Sequence, residues 1–156
     1  MRVLLAVLLA LGASATTAAA DSRSKVRGAF GVDGVVYEQD YDGHVERWGV
    51  GGGYASITSG DARGADFEVR FATRFIASIL EVGPRIYLAD DTLYLYGRVG
   101  LGFILVVPTD TIVSAGVGLT LGSHFEIEAG AFVANGGGIE EVTGGPALRG
   151  SVGIRF

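Results

Sequence analysis

Residues 93–103 read LYLYGRVGLGF, and two kinds of side chain alternate along the whole stretch. The odd positions are Leu93, Leu95, Gly97, Val99, Leu101 and Phe103, and the even positions are Tyr94, Tyr96, Arg98, Gly100 and Gly102. Successive side chains of a β-strand point to opposite faces. The stretch therefore predicts a strand with one apolar face and one face made of phenols, a guanidinium and glycine.

The same two-residue period returns along the rest of the chain. It is found in residues 26–37, 47–57, 67–75, 80–88, 113–121, 125–133 and 148–156. In residues 47–57 it places Trp48, Val50 and Tyr54 on the apolar face. Connections are predicted near residues 38–46, 58–64, 76–78, 89–92, 106–111, 122–124 and 135–146. This pattern predicts an all-β fold, an eight-stranded antiparallel up-and-down transmembrane β-barrel. Both termini and the short turns would lie on the periplasmic side, with longer loops outside.

Alternation alone fits two architectures. A soluble barrel buries its apolar face, whereas a membrane barrel turns that face to lipid and its polar face to the lumen. The polar face here contains Gly, Ser, Tyr, Arg and Glu, and the chain has a single lysine, Lys25. Water-exposed surfaces are normally rich in Lys and Glu, so this composition favours the membrane barrel. Aromatic residues near strand ends, Trp48, Tyr87, Phe125 and Phe156, are expected at the membrane interfaces.

The last strand carries a further signal in residues 151–156, SVGIRF. It resembles the C-terminal signal of bacterial outer-membrane barrels, in which apolar residues alternate and the final residue is aromatic; Val152, Ile154 and Phe156 match those positions. Residues 82–103 resemble a strand–turn–strand hairpin of the small eight-stranded outer-membrane β-barrel family. The resemblance implies two partners, the outer-membrane lipid and the barrel assembly machinery that reads the last strand.

The first twenty residues have the pattern of a secretory signal peptide. A basic start, Met1-Arg2, precedes the apolar run VLLAVLLAL at residues 3–11, and small residues follow up to Ala20. This is the order of a charged region, a short apolar region and a cleavage site. Residues 1–20 are therefore predicted to be removed, and residues 21–156 to form the outer-membrane β-barrel domain.

Composition excludes several classes of function. The formal net charge is −5, and nucleic-acid binding needs clustered Lys and Arg, so no nucleic-acid partner is predicted. The chain contains no Cys, which excludes a disulfide framework and a thiolate metal site. No cofactor and no metal site are predicted.

Charged residues on the polar faces would meet inside the barrel. They are Arg27, Arg70, Arg74, Arg85, Arg98, Arg149 and Arg155 against Asp33, Glu68, Glu81, Glu126 and Glu128, together with Tyr87, Tyr94 and Tyr96. Unpaired charge is costly in a narrow interior, so these groups are expected to form a lumen charge network that stabilises the barrel. An alternative is a narrow channel with anion preference, because arginine is in excess.

Two short motifs contain residue types that occur in catalytic or calcium-binding sites. The chain has only His44 and His124, and Ser123 beside His124 is expected to point to the opposite face, as in a strand, so no catalytic pair is predicted. Asp40-x-Asp42-Gly43 opens like a calcium loop but lacks the distant bidentate Glu, and it predicts a hairpin turn.

The sequence thus predicts a non-enzymatic outer-membrane barrel with a filled lumen and a structural or surface-interaction role in the cell envelope. The loops DYDGHVE (40–46) and NGGGIEEVTGG (135–145) are the candidate contact regions. The alternatives are a soluble exported β-barrel that binds an apolar ligand, a lipid-modifying outer-membrane enzyme, and the narrow channel.

Overall fold

The computed structural model is a closed barrel of eight antiparallel strands, which confirms the predicted fold. It describes residues 25–60, 64–74, 77–89, 92–139 and 145–156, so the predicted signal peptide lies outside the described residues. The strands are β1 (Lys25–Tyr41), β2 (His44–Gly60), β3 (Ala65–Arg74), β4 (Ala77–Ala89), β5 (Leu93–Ile104), β6 (Val107–Leu121), β7 (Phe125–Gly136) and β8 (Ala147–Arg155). In this part of the chain, no helix has the length and apolar character to cross a membrane.

Each strand pairs with its neighbours in sequence, and β8 pairs with β1 to close the sheet. At the seam, Gly28 and Phe156 exchange two backbone hydrogen bonds of 2.9 Å. We call the end that holds Lys25 and Phe156 the terminal end, and the opposite end the far end. Closure leaves no open edge in the barrel wall, so the backbone polar groups there are paired between strands.

The alternation sorts the side chains by polarity. Outward positions carry exposed apolar groups on every strand: Phe30, Val32, Ile57, Val69, Phe71, Leu80, Ile86, Leu95, Val113, Val117, Ile127, Val133, Val152 and Ile154. Inward positions carry the buried polar and charged groups. Outside the β1–β2 hairpin end, no outward position of the described strands carries a charge. The barrel is therefore polar inside and apolar outside.

The predicted connection at residues 38–46 is wrong. β1 and β2 are 17 residues each, and their turn is only Asp42-Gly43. Pairing of β1 with β8 ends at Val36, so residues 37–49 form a two-stranded ribbon beyond the wall. Apart from the buried Tyr37, most of the described side chains there are exposed on both faces, so polar residues carry no signal against a strand. We call residues 37–49 the ribbon.

Other strand boundaries also differ from those predicted from the sequence. The β5–β6 turn is residues 105–106, and the predicted loop PTDT (108–111) belongs to β6. Pro108 lies at a register irregularity, where the missing backbone N–H of proline is tolerated. The expected difference between short turns at the terminal end and longer loops at the far end fails. Three of the four far-end connections contain only two residues, and only the β7–β8 connection is long.

Two aromatic residues of β2 lie on the other face from the one expected. Trp48 and Tyr54 were placed with the apolar face of β2, but both are inward in register, and Tyr54 is buried in the lumen. Tyr87, which was expected both near a membrane interface and among the lumen residues, is buried in the lumen, 5.5 Å from Tyr94 between ring centroids. Glycines on both faces of residues 49–53 blur the alternation, which is why the sequence pattern placed the β2 aromatics wrongly.

Glycines fall into two groups with different steric surroundings. A Cβ on Gly100 would lie 2.0 Å from the carbonyl oxygen of Leu80, which real structures do not allow. A Cβ on the outward Gly34 would meet nothing closer than 3.9 Å. Close approach of neighbouring strands in a narrow barrel requires the first glycine but not the second.

We predict that Gly100→Ala destabilises the folded barrel by about 1–3 kcal/mol, because backbone must shift to admit the methyl group. The matched variant Gly34→Ala should be neutral or stabilising by up to about 1 kcal/mol, because glycine loses more chain entropy on folding. Urea unfolding in lipid vesicles measures both. Equal effects of the two substitutions would contradict the packing described above.

Candidate functional site

Ten buried charged side chains form the centre of the lumen. Even spacing along each strand places them on the inward face, and they come from β1, β3, β4, β5, β7 and β8. We call them the lumen lattice: Arg70, Arg74, Arg85, Arg98 and Arg149 with Asp33, Glu68, Glu81, Glu126 and Glu128. β2 and β6 contribute hydroxyls and glycine instead, which leaves room for the long arginines.

The half of the lattice nearer the terminal end is held by bidentate contacts. Arg85 donates to both oxygens of Glu68 at 2.6 and 3.0 Å and to Glu126 at 2.9 Å. Arg98 donates to Glu68 at 2.7 Å and to Glu128 at 2.5 and 3.2 Å. Planar guanidinium groups suit such paired contacts, which are among the strongest hydrogen bonds in proteins.

The ion pairs continue through the other half of the lattice without a break. Arg70 joins Glu128 at 2.6 Å to Asp33 at 2.8 Å. Asp33 also accepts from Arg149 at 2.8 Å and from Arg74. Arg149 then reaches Glu81 at 2.5 Å. All ten groups therefore belong to one connected network.

Phenols and one serine complete the network. Tyr54 donates to Glu126 at 2.8 Å, Tyr94 donates to Glu128 at 3.0 Å, and Ser114 donates to Glu81 at 2.5 Å. The guanidinium of Arg70 lies 3.7 Å above the centroid of the Tyr54 ring. A second such pair, Arg98 over Tyr96, has a distance of 3.9 Å. These rings supply cation–π attraction and fill the space between the ion pairs.

The lattice has equal numbers of guanidinium and carboxylate groups. The predicted excess of arginine also disappears when Arg27 and Arg155 are included, because the buried carboxylates Asp66 and Asp110 offset them. Towards the terminal end, Arg27 pairs with Asp66, and Arg155 donates to Thr120 at 3.2 Å. Sequence reasoning missed Asp66, Tyr54 and Asp110, the last of which was assigned to the connection at residues 106–111. Asp66 is two positions before Glu68, so extending the β3 alternation by one step would have found it.

This geometry fills the lumen. The lattice arginines Arg70, Arg85 and Arg98 are at most 1% exposed. Removing one partner of a buried pair leaves a desolvated charge, which costs about 3–5 kcal/mol. An ion path through the barrel would have to break several such pairs, so the arrangement suits a structural plug and not a channel.

An apolar layer closes the lumen at the far end. It contains Val35, Tyr37, Ile79, Ile112, Phe132, Ala134, Ile139 and Ala147. Ile139 comes from the β7–β8 connection, and its backbone N–H donates to the buried carboxylate of Asp110 at 2.8 Å. The predicted connection at residues 135–146 thus begins later, because residues 135 and 136 belong to β7, and Ile139 packs into the mouth of the lumen. Residues 140–144 lie outside the described part of the chain.

The structure agrees with the prediction for the Asp40–Gly43 motif but not with the one for Ser123 and His124. Asp42 and Gly43 have φ values of 53° and 80°, and Asp40 accepts from the Gly43 N–H at 2.9 Å, so the motif forms the predicted hairpin turn. Ser123 and His124 were expected on opposite faces, but Ser123 Oγ lies 2.6 Å from His124 Nδ1. They belong to a turn, where strand alternation does not apply.

The Ser123–His124 pair lacks the surroundings of a catalytic site. Both side chains are exposed, and within the described ranges no carboxylate is in ion-pair distance of the imidazole. A nucleophile and its base normally need a third group that orients the base. The described residues also contain no group of His, Cys, Asp and Glu placed to hold a metal ion.

The C-terminal residues lie on the outward face at the terminal end. Val152 and Ile154 are 49% and 44% exposed, and Phe156 is 73% exposed. The Phe156 ring packs against Phe30 with 6.0 Å between centroids. It also covers Gly28, where a Cβ would lie 2.6 Å from the ring. The aromatic end thus lies beside the seam that closes the barrel.

Comparison with known proteins relates the fold to solved barrels. The chain is similar to Ail, the attachment invasion locus protein of Yersinia pestis, solved with the heparin analogue sucrose octasulfate. That match has a TM-score of 0.54 and 14% identity, and it covers 85% of this chain and 99% of Ail. A match to the outer membrane protein OprG from Pseudomonas aeruginosa has a TM-score of 0.44 and 12% identity, over 84% of this chain and 95% of OprG. No protein-family model and no curated protein sequence matches.

The likeness to Ail concerns the fold alone, at this level of identity. The resemblance to small eight-stranded outer-membrane β-barrels, predicted from the last strand, is confirmed at that level. The fold and the charged lumen together define a class of architecture, a narrow closed barrel with an apolar outer surface.

We predict that Glu128→Gln lowers the free energy of unfolding by about 3–5 kcal/mol, because it removes a charge shared by three buried arginines. The control is Glu38→Gln, which removes the partner of Arg47 in an exposed pair at 2.8 Å. Exposed pairs contribute about 1 kcal/mol or less. Denaturant unfolding in lipid vesicles compares the two, and similar losses would contradict a cohesive lattice.

Proposed function

We propose that this chain is an outer-membrane β-barrel protein with a structural or surface-interaction role in the cell envelope, a filled lumen and no catalysis. In this proposal residues 1–20 direct export and are cleaved, and residues 21–156 form the barrel. The terminal end faces the periplasm, and the far end faces the outside of the cell.

The observation that carries the proposal is the inverted polarity of the barrel. Ten charged groups lie in the lumen, whereas the outward face of the wall carries apolar side chains such as Phe71, at 46% exposure, and Val113, at 51%. Water would not favour that outer surface, but lipid hydrocarbon would. A closed barrel is also one of the two structures whose backbone is fully paired inside a bilayer.

The same polarity argues against the soluble rival. A barrel that carries an apolar ligand needs an apolar cavity, and here the lumen contains the charged lattice and Tyr54, Tyr94 and Tyr96. The enzyme rival is disfavoured by the exposed position of the Ser123–His124 pair. The lattice and the apolar far-end layer disfavour the channel.

The ribbon is the part of the chain best placed for contacts outside the membrane. Its side chains Val45 and Trp48 are 64% and 48% exposed. The ribbon carries four carboxylates and one guanidinium: Glu38, Asp40, Asp42 and Glu46 with Arg47. A sulfated glycan, the ligand class in the Ail complex, is a poor match for such an acidic surface. The proposed surface role therefore favours neutral or basic partners.

We propose the last strand as the signal that the barrel assembly machinery reads. Val152, Ile154 and Phe156 present an outward apolar row at the seam between β8 and β1. A strand at that seam is the last to pair before closure, so its accessible face is available to an assembly factor until the barrel closes.

Val113→Arg tests the membrane location. Val113 pairs with Val99 at the middle of β5 and β6, so an outward arginine there would face the bilayer midplane, at a cost of about 2–4 kcal/mol. We expect a marked loss of folded protein from the washed outer-membrane fraction, measured by heat-dependent gel mobility.

Val45→Arg is the matched control, because Val45 lies on the water-exposed ribbon. It should leave the amount of folded protein unchanged. Full recovery of the Val113→Arg variant in that fraction, equal to Val45→Arg, would contradict the proposed contact of the wall with lipid.

Phe156→Ala tests the assembly signal. We expect slower appearance of folded protein in cells, followed by pulse-chase labelling, because the final aromatic would no longer be read. Phe125→Ala removes another outward aromatic at the same end, 54% exposed, and controls for lost lipid contact. Equal rates for both variants would mean that Phe156 acts only as a lipid-facing side chain.

A further inference from the structure

The β5–β6 hairpin ends in an apolar tip that is exposed in the structure. We call residues 103–108, FILVVP, the apolar tip. Leu105, Val106 and Val107 are 73%, 86% and 59% exposed, so the described residues of the chain leave them largely uncovered. The sequence contains no charged residue between Arg98 and Asp110. A turn of this composition is unlike a connection that lies in water.

The backbone of the tip adds a second, independent observation. Leu105 has a φ of 58°, in the left-handed region that disfavours bulky side chains. The other described two-residue turn at this end uses Asp42 and Gly43, residue types that tolerate such angles. Leu105 therefore occupies a disfavoured position and packs little against the described residues. This combination points to a contact outside the chain.

The tip continues the outward apolar face of the wall. On β5 the outward row runs through Leu101 to Phe103, which pairs with Pro108 on β6. No charged or strongly polar group separates the wall from the tip along β5. The apolar surface of the wall therefore continues onto the tip without a polar break, so the wall and the tip are expected to contact the same medium.

The length of β5 indicates where the apolar tip lies along the barrel axis relative to the bilayer. β5 has 12 residues, which at about 3.3 Å per residue and a tilt of about 40° spans roughly 30 Å along the barrel axis. That is close to the hydrocarbon thickness of about 30 Å. β1 has 17 residues and spans roughly 43 Å on the same basis. The Asp42-Gly43 turn thus projects beyond the bilayer, whereas the apolar tip ends at its edge.

We propose that the apolar tip is embedded in the lipid of the outer leaflet and anchors the β5–β6 side of the barrel there. This inference rests on the proposed outer-membrane location. In the closed strand order, β5–β6 lies across the barrel from β1–β2. The outer end is therefore asymmetric: one side presents the ribbon to water, and the opposite side ends within lipid.

Tryptophan fluorescence tests the proposal, because the chain contains a single tryptophan, Trp48, and it lies on the ribbon. The native protein reports the aqueous ribbon. Two further proteins carry Trp48→Phe together with either Leu105→Trp or, as the lipid-facing reference, Val113→Trp. Val106→Trp replaces Leu105→Trp if that variant does not give the heat-shifting folded band. Each is reconstituted in phosphatidylcholine vesicles with or without brominated acyl chains, and acrylamide serves as the aqueous quencher.

We expect the indole in the Leu105→Trp protein to lose most of its emission to brominated lipid and to be shielded from acrylamide, like the Val113→Trp reference. Native Trp48 should show the opposite behaviour. If the tip variant behaves like native Trp48 while the reference is quenched by lipid, the apolar tip is not embedded in lipid. That result overturns the proposed anchor but leaves the proposed membrane location intact. If the reference also escapes quenching by lipid, the proposed membrane location fails and the anchor fails with it.

Discussion

The buried contact between guanidinium and carboxylate groups is the constraint on which the rest of the structure depends. Eight strands enclose an interior just wide enough for side chains, so every inward charge must meet its counter-charge there. The chain from Glu126 through Arg85, Glu68 and Arg98 to Glu128 meets that demand with short, paired contacts. The lattice links six strands across the lumen, and it therefore couples barrel closure to side-chain pairing.

Other features follow from this filled interior. Long arginines need space, so β2 and β6 contribute small residues and hydroxyls opposite them. Neighbouring backbones approach closely, as at Gly100, where a methyl group would collide with the carbonyl of Leu80. With the charged groups inside, the outward positions are left for apolar side chains. The apolar outer surface and the charged lumen are thus two consequences of one alternation.

The far end of the barrel is where this chain has its individual character. Ile139 enters the lumen mouth and is held there by Asp110. The ribbon extends β1 and β2 into water, whereas β5 and β6 stop at an apolar turn with Leu105 in a left-handed conformation. The two opposite sides of the far end therefore differ in polarity and in how far their strands extend.

Much of the fold was predictable because two-residue alternation survives wherever the outward face of a strand is apolar and the inward face is polar. Arg98 and Glu128 were placed in the interior by parity alone. Prediction failed where that contrast disappears. In the ribbon most described side chains are exposed on both faces, so residues 38–46 resembled a loop, and the run of glycines before Tyr54 hid its inward face. The contact between Ser123 and His124 depends on turn geometry, which no alternation encodes.

The lattice partners could be predicted as a set but not as pairs. Which arginine meets which carboxylate depends on strand register and barrel shear. Arg149 and Asp33, for example, are 116 positions apart in sequence and meet only because β8 closes on β1. The balance of charge also depended on Asp66, whose position at the start of β3 placed it just outside the recognised alternation.

The most direct test of the central claim is the gel mobility of the wild-type protein, with and without boiling, from the washed outer-membrane fraction. The account predicts a compact band in cold detergent that shifts on boiling, because the lattice and the closed sheet hold the barrel together until heated. A protein that is recovered in the soluble periplasm, with one mobility under both conditions, would contradict the membrane barrel.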